Sequence, residues 1–223
     1  MLAKPEYMEA KKIAEHLMEA LVNFPVAASD AGAAMRVAVG KFMVRFSDLI
    51  YDRTIGTELY DCFEKARAAG ATLNSMDRVR EVMLAETPMY PVGNAIVNAA
   101  VIFSFVEQSQ IIAIMVFASR FEAGAIMDAM SKVIEEIKVE KADSFVSGDY
   151  QHFVRLAALL VEHLSATERL LPRIVSYQWP VHYPSLTMAN RIYGDGARSE
   201  ELIAENKTVH PAFMQRHIIA LSS

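Results

Sequence analysis

The chain has 223 residues, 53% of them hydrophobic, a length and apolar content sufficient for a full core in one domain or in one domain plus a small module. Its formal charge of −5 argues against a protein whose main business is gripping duplex DNA, because Lys and Arg neutralising phosphates supply most non-specific affinity. A single cysteine, Cys62, excludes an internal disulfide framework and a thiolate metal cluster, and only nine Gly and eight Pro beside thirteen Met suit a mainly helical protein.

In chain order, the first helix is expected over residues 5–24, with Pro5 in its first turn, one apolar stripe through Ile13, Leu17, Ala20, Leu21 and Phe24, and Pro25 as its stop. The charged, amphipathic pattern of residues 1–24 shows no secretory signal. Ser29 or Asp30 caps a second helix to about residue 51, carrying Met35, Val39, Phe42, Met43 and Phe46 inward. After a break at 53–56 a third runs over 57–69, closed by Gly70, and Asn74 or Ser75 caps a fourth that stops before Pro88.

Residues 91–117 read as a long central helix buried on most sides. Its apolar run is interrupted by Asn98 and closed by Glu107, Gln108 and Gln110, so a membrane span is not expected; such a span needs roughly 20 predominantly apolar residues with few charges. Ser119 and Glu122 have the spacing of a capping box and open a helix with Ile126, Met130, Val133, Ile134 and Ile137 on one face. A turn is expected over 144–148. A last long helix from Asp149 then turns Phe153, Leu156, Ala157, Leu160, Val161 and Leu164 inward, until Pro172 ends the region.

The C-terminal stretch changes character. Residues 173–177 are β-branched and short, a partner strand for residues 217–221. Between them Pro184 and Ser185 open a helix with Leu186, Ala189, Ile192 and Tyr193 as its apolar stripe. Gly194 stops it, because glycine enters the left-handed conformation without a Cβ penalty. Ser199 is expected to cap a second short helix bearing Glu200, Glu201, Leu202 and Ile203, with Asn206 as its left-handed stop. The resulting expectation is a mainly α protein, a multi-helix bundle over 1–171 followed by a small strand-helix-helix-strand module over 172–223.

Chemistry-bearing groups are sparse. His152 and His163 lie eleven residues apart on one expected helix, about 16 Å of rise, too far to share a metal. His16 reads with them as a helix-surface residue. His182, His210 and His217 either converge near the C-terminal module or serve as loop hydrogen-bonding residues. The pairs Glu135-Glu136 and Glu200-Glu201 fall on solvated faces or at a helix start, and the neighbours Asp61 and Glu58 raise the Cys62 thiol rather than activate it. There is no nucleophile elbow, P-loop or dinucleotide fingerprint; Gly93-Asn94 lacks the glycines and lysine that would have to follow. No enzyme, cofactor or metal site is expected.

The candidate binding residues are instead Trp179, Tyr183, Tyr193, Asp195, Pro211 and Phe213, aromatic or turn residues suited to a hydrophobic protein interface with a polar rim. Trp179 is either the lid of the module's core or an interface anchor. Tyr193 either displays itself to a partner or is half-buried. Asp195 bonds the next backbone amides, and Gly194 and Asn206 are structural turns.

The order A-N-R-I-Y-G-D followed by E-E-L-I-A-E-N, residues 189–206, resembles the core of a LysM module. The longer run from Tyr193 to Phe213, with Phe117-Ala118-Ser119-Arg120, Glu122-Ala123, Leu171-Pro172-Arg173 and Pro184-Ser185-Leu186 upstream, is similar to the C-terminal end of the DNA circularization proteins of Mu-like phage tails. The likeness covers about half of the chain, and the first hundred residues only in helical character. Met214-Gln215-Arg216 follows Phe213 where that family often carries Pro or Gly. Because the family begins with a β-rich hub domain that is not seen here, the resemblance implies the C-terminal portion of a longer tail protein. It implies a non-enzymatic baseplate or hub component, made in the host cytoplasm and carried in the virion tail. Its partners would be other tail proteins, oligomeric in the virion, without direct duplex DNA binding. The alternatives are a peptidoglycan-binding LysM-type module acting during envelope penetration and, in a different class, a helical DNA-binding protein.

Overall fold

A computed structural model describes residues 2–25, 28–141 and 147–222. Among them the protein is mainly helical, with ten α-helices and one two-stranded antiparallel sheet. The chain divides into two compact units, residues 1–115 with 132–160, and residues 116–131 with 161–223.

The first unit is a bundle built around α6 (Pro91–Ala113), against which α1 (Lys4–Val22), α4 (Ile55–Ala68) and α5 (Leu73–Leu84) pack. In α1 the stripe Ala10, Ile13, Ala14, Leu17, Met18 and Leu21 is buried, the 3–4 spacing that one helical face dictates. Gly93 lets α1 approach closely. A Cβ there would lie 2.8 Å from Glu9 Oε1 and 2.9 Å from Ile13 Cδ1. The same Glu9 carboxylate accepts from the amides of Met89 (3.1 and 3.0 Å) and Tyr90 (3.0 Å), satisfying donors ahead of α6 that no helical carbonyl can reach. Its charge also sits at the positive end of that helix.

Several boundaries differ from expectation. The second helix divides at Arg45 into α2 (Asp30–Val44), capped by Ser29, and α3 (Phe46–Tyr51). The cap of α5 is Thr72 rather than Asn74 or Ser75; its hydroxyl accepts from the Ser75 amide (3.3 Å) while Ser75 Oγ accepts from the Thr72 amide (3.2 Å). Helix α6 ends at Ala113, not 117, where the Ile114 amide tightens onto Ile111 O. On length and composition, with 23 residues and a mean hydropathy of 1.4, α6 is apolar enough to cross a membrane, despite the polar interruptions expected to disqualify it. In the bundle 56% of its apolar window is buried.

Two more helices, α7 (Arg120–Lys141) and α8 (Ser147–Leu170), contribute to both units. At the start of α7 the Ser119 hydroxyl accepts from the Glu122 amide (3.3 Å), and Glu122 reaches back to the Ala118 amide (2.8 Å), one residue earlier than a standard box. Of the turn expected over 144–148, residues 144–146 lie outside the described residues, while Ser147 and Gly148 begin α8.

In the second unit the chain continues from α8 through β1 (Ile174–Gln178), α9 (Ser185–Tyr193), a 3-10 turn (Gly196–Arg198), α10 (Ser199–Glu205) and β2 (His217–Leu221). The strands pair antiparallel, Ile174 opposite Leu221 and Gln178 opposite His217. Met188, Ala189, Leu202, Met214, Ile218 and Ala220 form the local core. Of the expected stripe, Ala189 is buried and Ile192 and Tyr193 pack half-buried against this core, but Leu186 is exposed, and Ser185 and Met188 take the inward positions of the first turn. Leu186 instead covers Gly196, where a Cβ would come within 2.9 Å of its Cδ1.

Candidate functional site

The region that gathers most of the candidate binding residues is the end of the C-terminal segment where two loops, 179–184 and 207–216, run side by side. Backbone bonds lace them together: the Ser185 amide donates to Pro211 O (2.8 Å) and the Met214 amide to Tyr183 O (3.0 Å). The Trp179 amide donates to Arg216 O (2.7 Å), continuing the ladder of β1 and β2 one step further. His182 Nδ1 adds a bond to Met214 O (2.8 Å). Met214 is fully buried and pins its loop to the core.

Beside exposed polar residues such as Lys207, Gln215 and Arg216, this frame leaves large apolar side chains outside. Val181 is 51% exposed, Leu186 60%, Val209 98% and Phe213 67%. Pro211 is exposed as well, and the His210 ring lies against Phe213 at a centroid distance of 5.5 Å. Phe213 and Pro211 are therefore presented to solvent from a loop fixed at both ends.

Trp179 and Tyr183 are placed differently. Both are half-buried against the local core, edge to face at 5.6 Å, and the Arg191 guanidinium sits over them at 5.6 and 4.5 Å. The indole nitrogen of Trp179 is buried with no hydrogen-bond partner among the described residues. Tyr193 is half-buried and occupied within the unit: its hydroxyl donates to Glu201 Oε1 (3.1 Å), and Arg198, 3.7 Å from the ring centroid, holds the same carboxylate through two bonds (3.0 and 2.7 Å). Burial, reinforced by the Glu201 charge, pushes the Tyr193 phenol up to about 12. Asp195 is exposed and accepts from the Ala197 amide (2.8 Å). It caps the 3-10 turn, and this displaces the expected cap at Ser199, whose helix is entered from helical Gly196–Arg198.

Gly194 is the left-handed stop of α9 at φ 71°. Asn206 is not one. Its φ is −95°, and the left-handed residue is Lys207 at φ 48°. The Asn206 amide group has another task, since Nδ2 donates to Leu202 O and Ile219 O and Oδ1 accepts from the Ile219 amide, each at 2.8 Å. Turning left-handed at 206 would swing that group away from β2. Sequence reasoning missed this bridge because nothing local distinguishes it from a helix-stopping Asn.

The histidines go to separate partners. His182 bonds a backbone carbonyl, His210 stacks, and His217 Nε2 pairs with Ser176 Oγ (2.9 Å). His16 Nδ1 meets Glu86 at 2.6 Å. Among the described residues no three of His, Cys, Asp and Glu stand close enough to hold a metal ion. His152 lines a groove of about 600 Å³ in the first unit with Asp149, Tyr90, Asn94 and Phe103. Cys62 is buried, and burial first, then Asp61 and Glu58, pushes its thiol up to about 12, away from nucleophilic use.

A buried polar system in the first unit was also not legible in the sequence. Glu107 is fully buried with Arg67 Nε 2.5 Å from its Oε2, and Gln108 Nε2 donates to Asp77 (2.7 Å), which Arg80 joins to Glu136. Burial raises the Glu107 carboxyl above its ordinary range, and Arg67 offsets only part of that rise. In comparisons with known proteins, the chain matches no family model and no curated protein.

Proposed function

We propose that this protein is a non-enzymatic structural component of a Mu-like contractile phage tail, in the baseplate or hub region. It works by docking other tail proteins onto the loop end of its C-terminal module. The observation that carries the reading is the apolar display of Val181, Val209 and Phe213 on two mutually hydrogen-bonded loops. Large apolar side chains left facing solvent on a hydrogen-bonded frame serve recognition rather than packing when a partner covers them. The strand-helix-helix-strand order of residues 174–221 supports a LysM-like module, and the motif from Tyr193 to Phe213 supports the tail family. The formal charge of −5 speaks for protein partners over duplex DNA.

Phe213→Ala is the sharpest test, because a side chain that is 67% exposed has little packing to lose. The variant should keep the wild-type circular dichroism spectrum and melting temperature yet be missing from purified tails. Incorporation of Phe213→Ala at the wild-type level would overturn the docking surface. Co-sedimentation of the wild-type chain with purified sacculi, abolished by the same substitution, would make glycan binding the better reading.

A further inference from the structure

The two edges of the small sheet are treated differently by the fold. At the outer edge of β2, the Asn206 side chain takes both the amide and the carbonyl of Ile219, as a neighbouring strand would. Nothing comparable protects β1. In an antiparallel pair, backbone groups alternate between facing the partner and facing away. The bonds from Trp179 N to Arg216 O and from Ser222 N to Arg173 O set the phase, so Arg173, Val175, Tyr177 and Trp179 face β2. The amides and carbonyls of Ile174, Ser176 and Gln178 therefore face outward, and no hydrogen bond joins them to any described residue. The strand itself is open, with Ile174 36% and Val175 37% exposed. It carries no Lys, no Pro and no bulge, the devices with which proteins normally blunt an edge.

Charge flanks this edge at both ends. Where β1 begins, the Arg120 amide bonds Pro172 O (2.9 Å) and its guanidinium reaches the carbonyls of Glu168 (3.1 Å) and Arg169 (3.2 Å), beside Arg173. The neighbouring carboxylate of Glu122 is committed to the Ala118 amide. Where β1 ends, Arg191 lies over the Trp179 indole, while Arg216, opposite Trp179 on the paired side, donates Nε to Trp179 O (3.3 Å). Arg120, Arg173, Arg191 and Arg216 form no ion pair among the described residues. Nor does any Asp or Glu occur between Leu170 and Gly194, or from Asn206 onward.

We propose that the free edge of β1 accepts an extended segment of a partner protein as a third strand, and that this segment carries acidic residues at both ends of a short apolar or β-branched core. Outward backbone groups at Ile174, Ser176 and Gln178 supply the ladder, and strand addition draws its affinity from such main-chain bonds. Arg120 and Arg173 at one end and Arg191 beyond the other bracket a five-residue strand, a span of roughly 17 Å, which sets the spacing of the acidic residues. The outward backbone groups of Ile174, Ser176 and Gln178 lie outside the two loops that carry Phe213, so Phe213→Ala leaves them intact.

The probe is a ten-residue synthetic peptide of alternating valine and threonine with two glutamates at each end, titrated into the isotopically labelled full chain by NMR. Its lysine-ended counterpart is the control. The glutamate peptide should shift and protect the amides of Ile174, Ser176 and Gln178, while the lysine peptide does not bind. Ser176→Pro removes an outward N–H without touching the β1–β2 ladder and should weaken binding at least tenfold. The reversal Arg173→Glu, at an exposed side chain with no hydrogen bond or ion pair among the described residues, should weaken it too with the backbone unchanged, which covers the case of a Pro variant that fails to fold. The proposal is overturned if the glutamate peptide does not bind, if the lysine peptide binds equally, or if the perturbed amides lie elsewhere. It is overturned as well if sedimentation shows the chain alone forming a dimer that Ser176→Pro abolishes, since a second copy would then occupy the edge.

Discussion

Removing the Asn206 amide group tests how the C-terminal segment holds its second strand. Asn206→Ala deletes three hydrogen bonds of 2.8 Å, one to Leu202 O and two to the backbone of Ile219. A protein hydrogen bond is worth roughly 0.5–1.5 kcal/mol net, and a buried group left without a partner costs about 1–3 kcal/mol. The half-buried setting lets water recover part of that, so the substitution should destabilise the segment by about 2–4 kcal/mol. Asn206→Asp separates the contributions: it keeps the acceptor for the Ile219 amide but loses both donors and sets a carboxylate against two carbonyl oxygens. Native-state hydrogen exchange reads the segment by itself. The Ile219 amide should lose protection in Asn206→Ala and retain a local bond in Asn206→Asp, while the amides of α6 exchange as before. An Ala variant within about 0.5 kcal/mol of wild type, the range of an ordinary surface change, would refute the bridge.

Two predictions concern the first unit. Val101 is fully buried in α6, so Val101→Asp places an unpaired charge in the bundle and should cost more than about 4 kcal/mol, abolishing its cooperative melt in circular dichroism. Wild-type melting of that variant would mean that this face of α6 is not core. Glu107 gives a pH signature. Burial raises its folded pKa above the ordinary 4.5, so its contribution to stability is full below that value and is lost as pH rises through the folded pKa. Glu107→Gln retains an acceptor for Arg67 and should gain stability over wild type between pH 4 and pH 7 in urea titrations; a gap that is constant or shrinks across that range contradicts the assignment.

Helix periodicity and the stops at Gly70 and Gly194 were legible in the sequence, as was the existence of the strand pair, because each depends on local spacing or on one residue's backbone freedom; the first strand lies one residue later than expected, at Ile174–Gln178, and α1 ends at Val22, short of Pro25. Also legible was the inward face of α7 through Met130, Val133, Ile134 and Ile137. In α9 the inward positions of Ala189, Ile192 and Tyr193 were legible too, but the place of Leu186 was not. Leu186 and Met188 are equally apolar, and only the positions of Met214, Ile218 and Ala220 choose Met188 for the core and leave Leu186 over Gly196. The candidate site divides along the same line. An aromatic, proline-rich pair of loops could be read directly, but tertiary contacts tucked Trp179 and Tyr183 against the core under Arg191 and left Phe213 outside. Glu107 looked like the polar end of an apolar run until Arg67, forty residues away, met it inside the bundle. Short-range patterns specify which backbone a segment prefers, whereas burial and charge pairing depend on which distant segment arrives, and that is decided only when the whole chain packs.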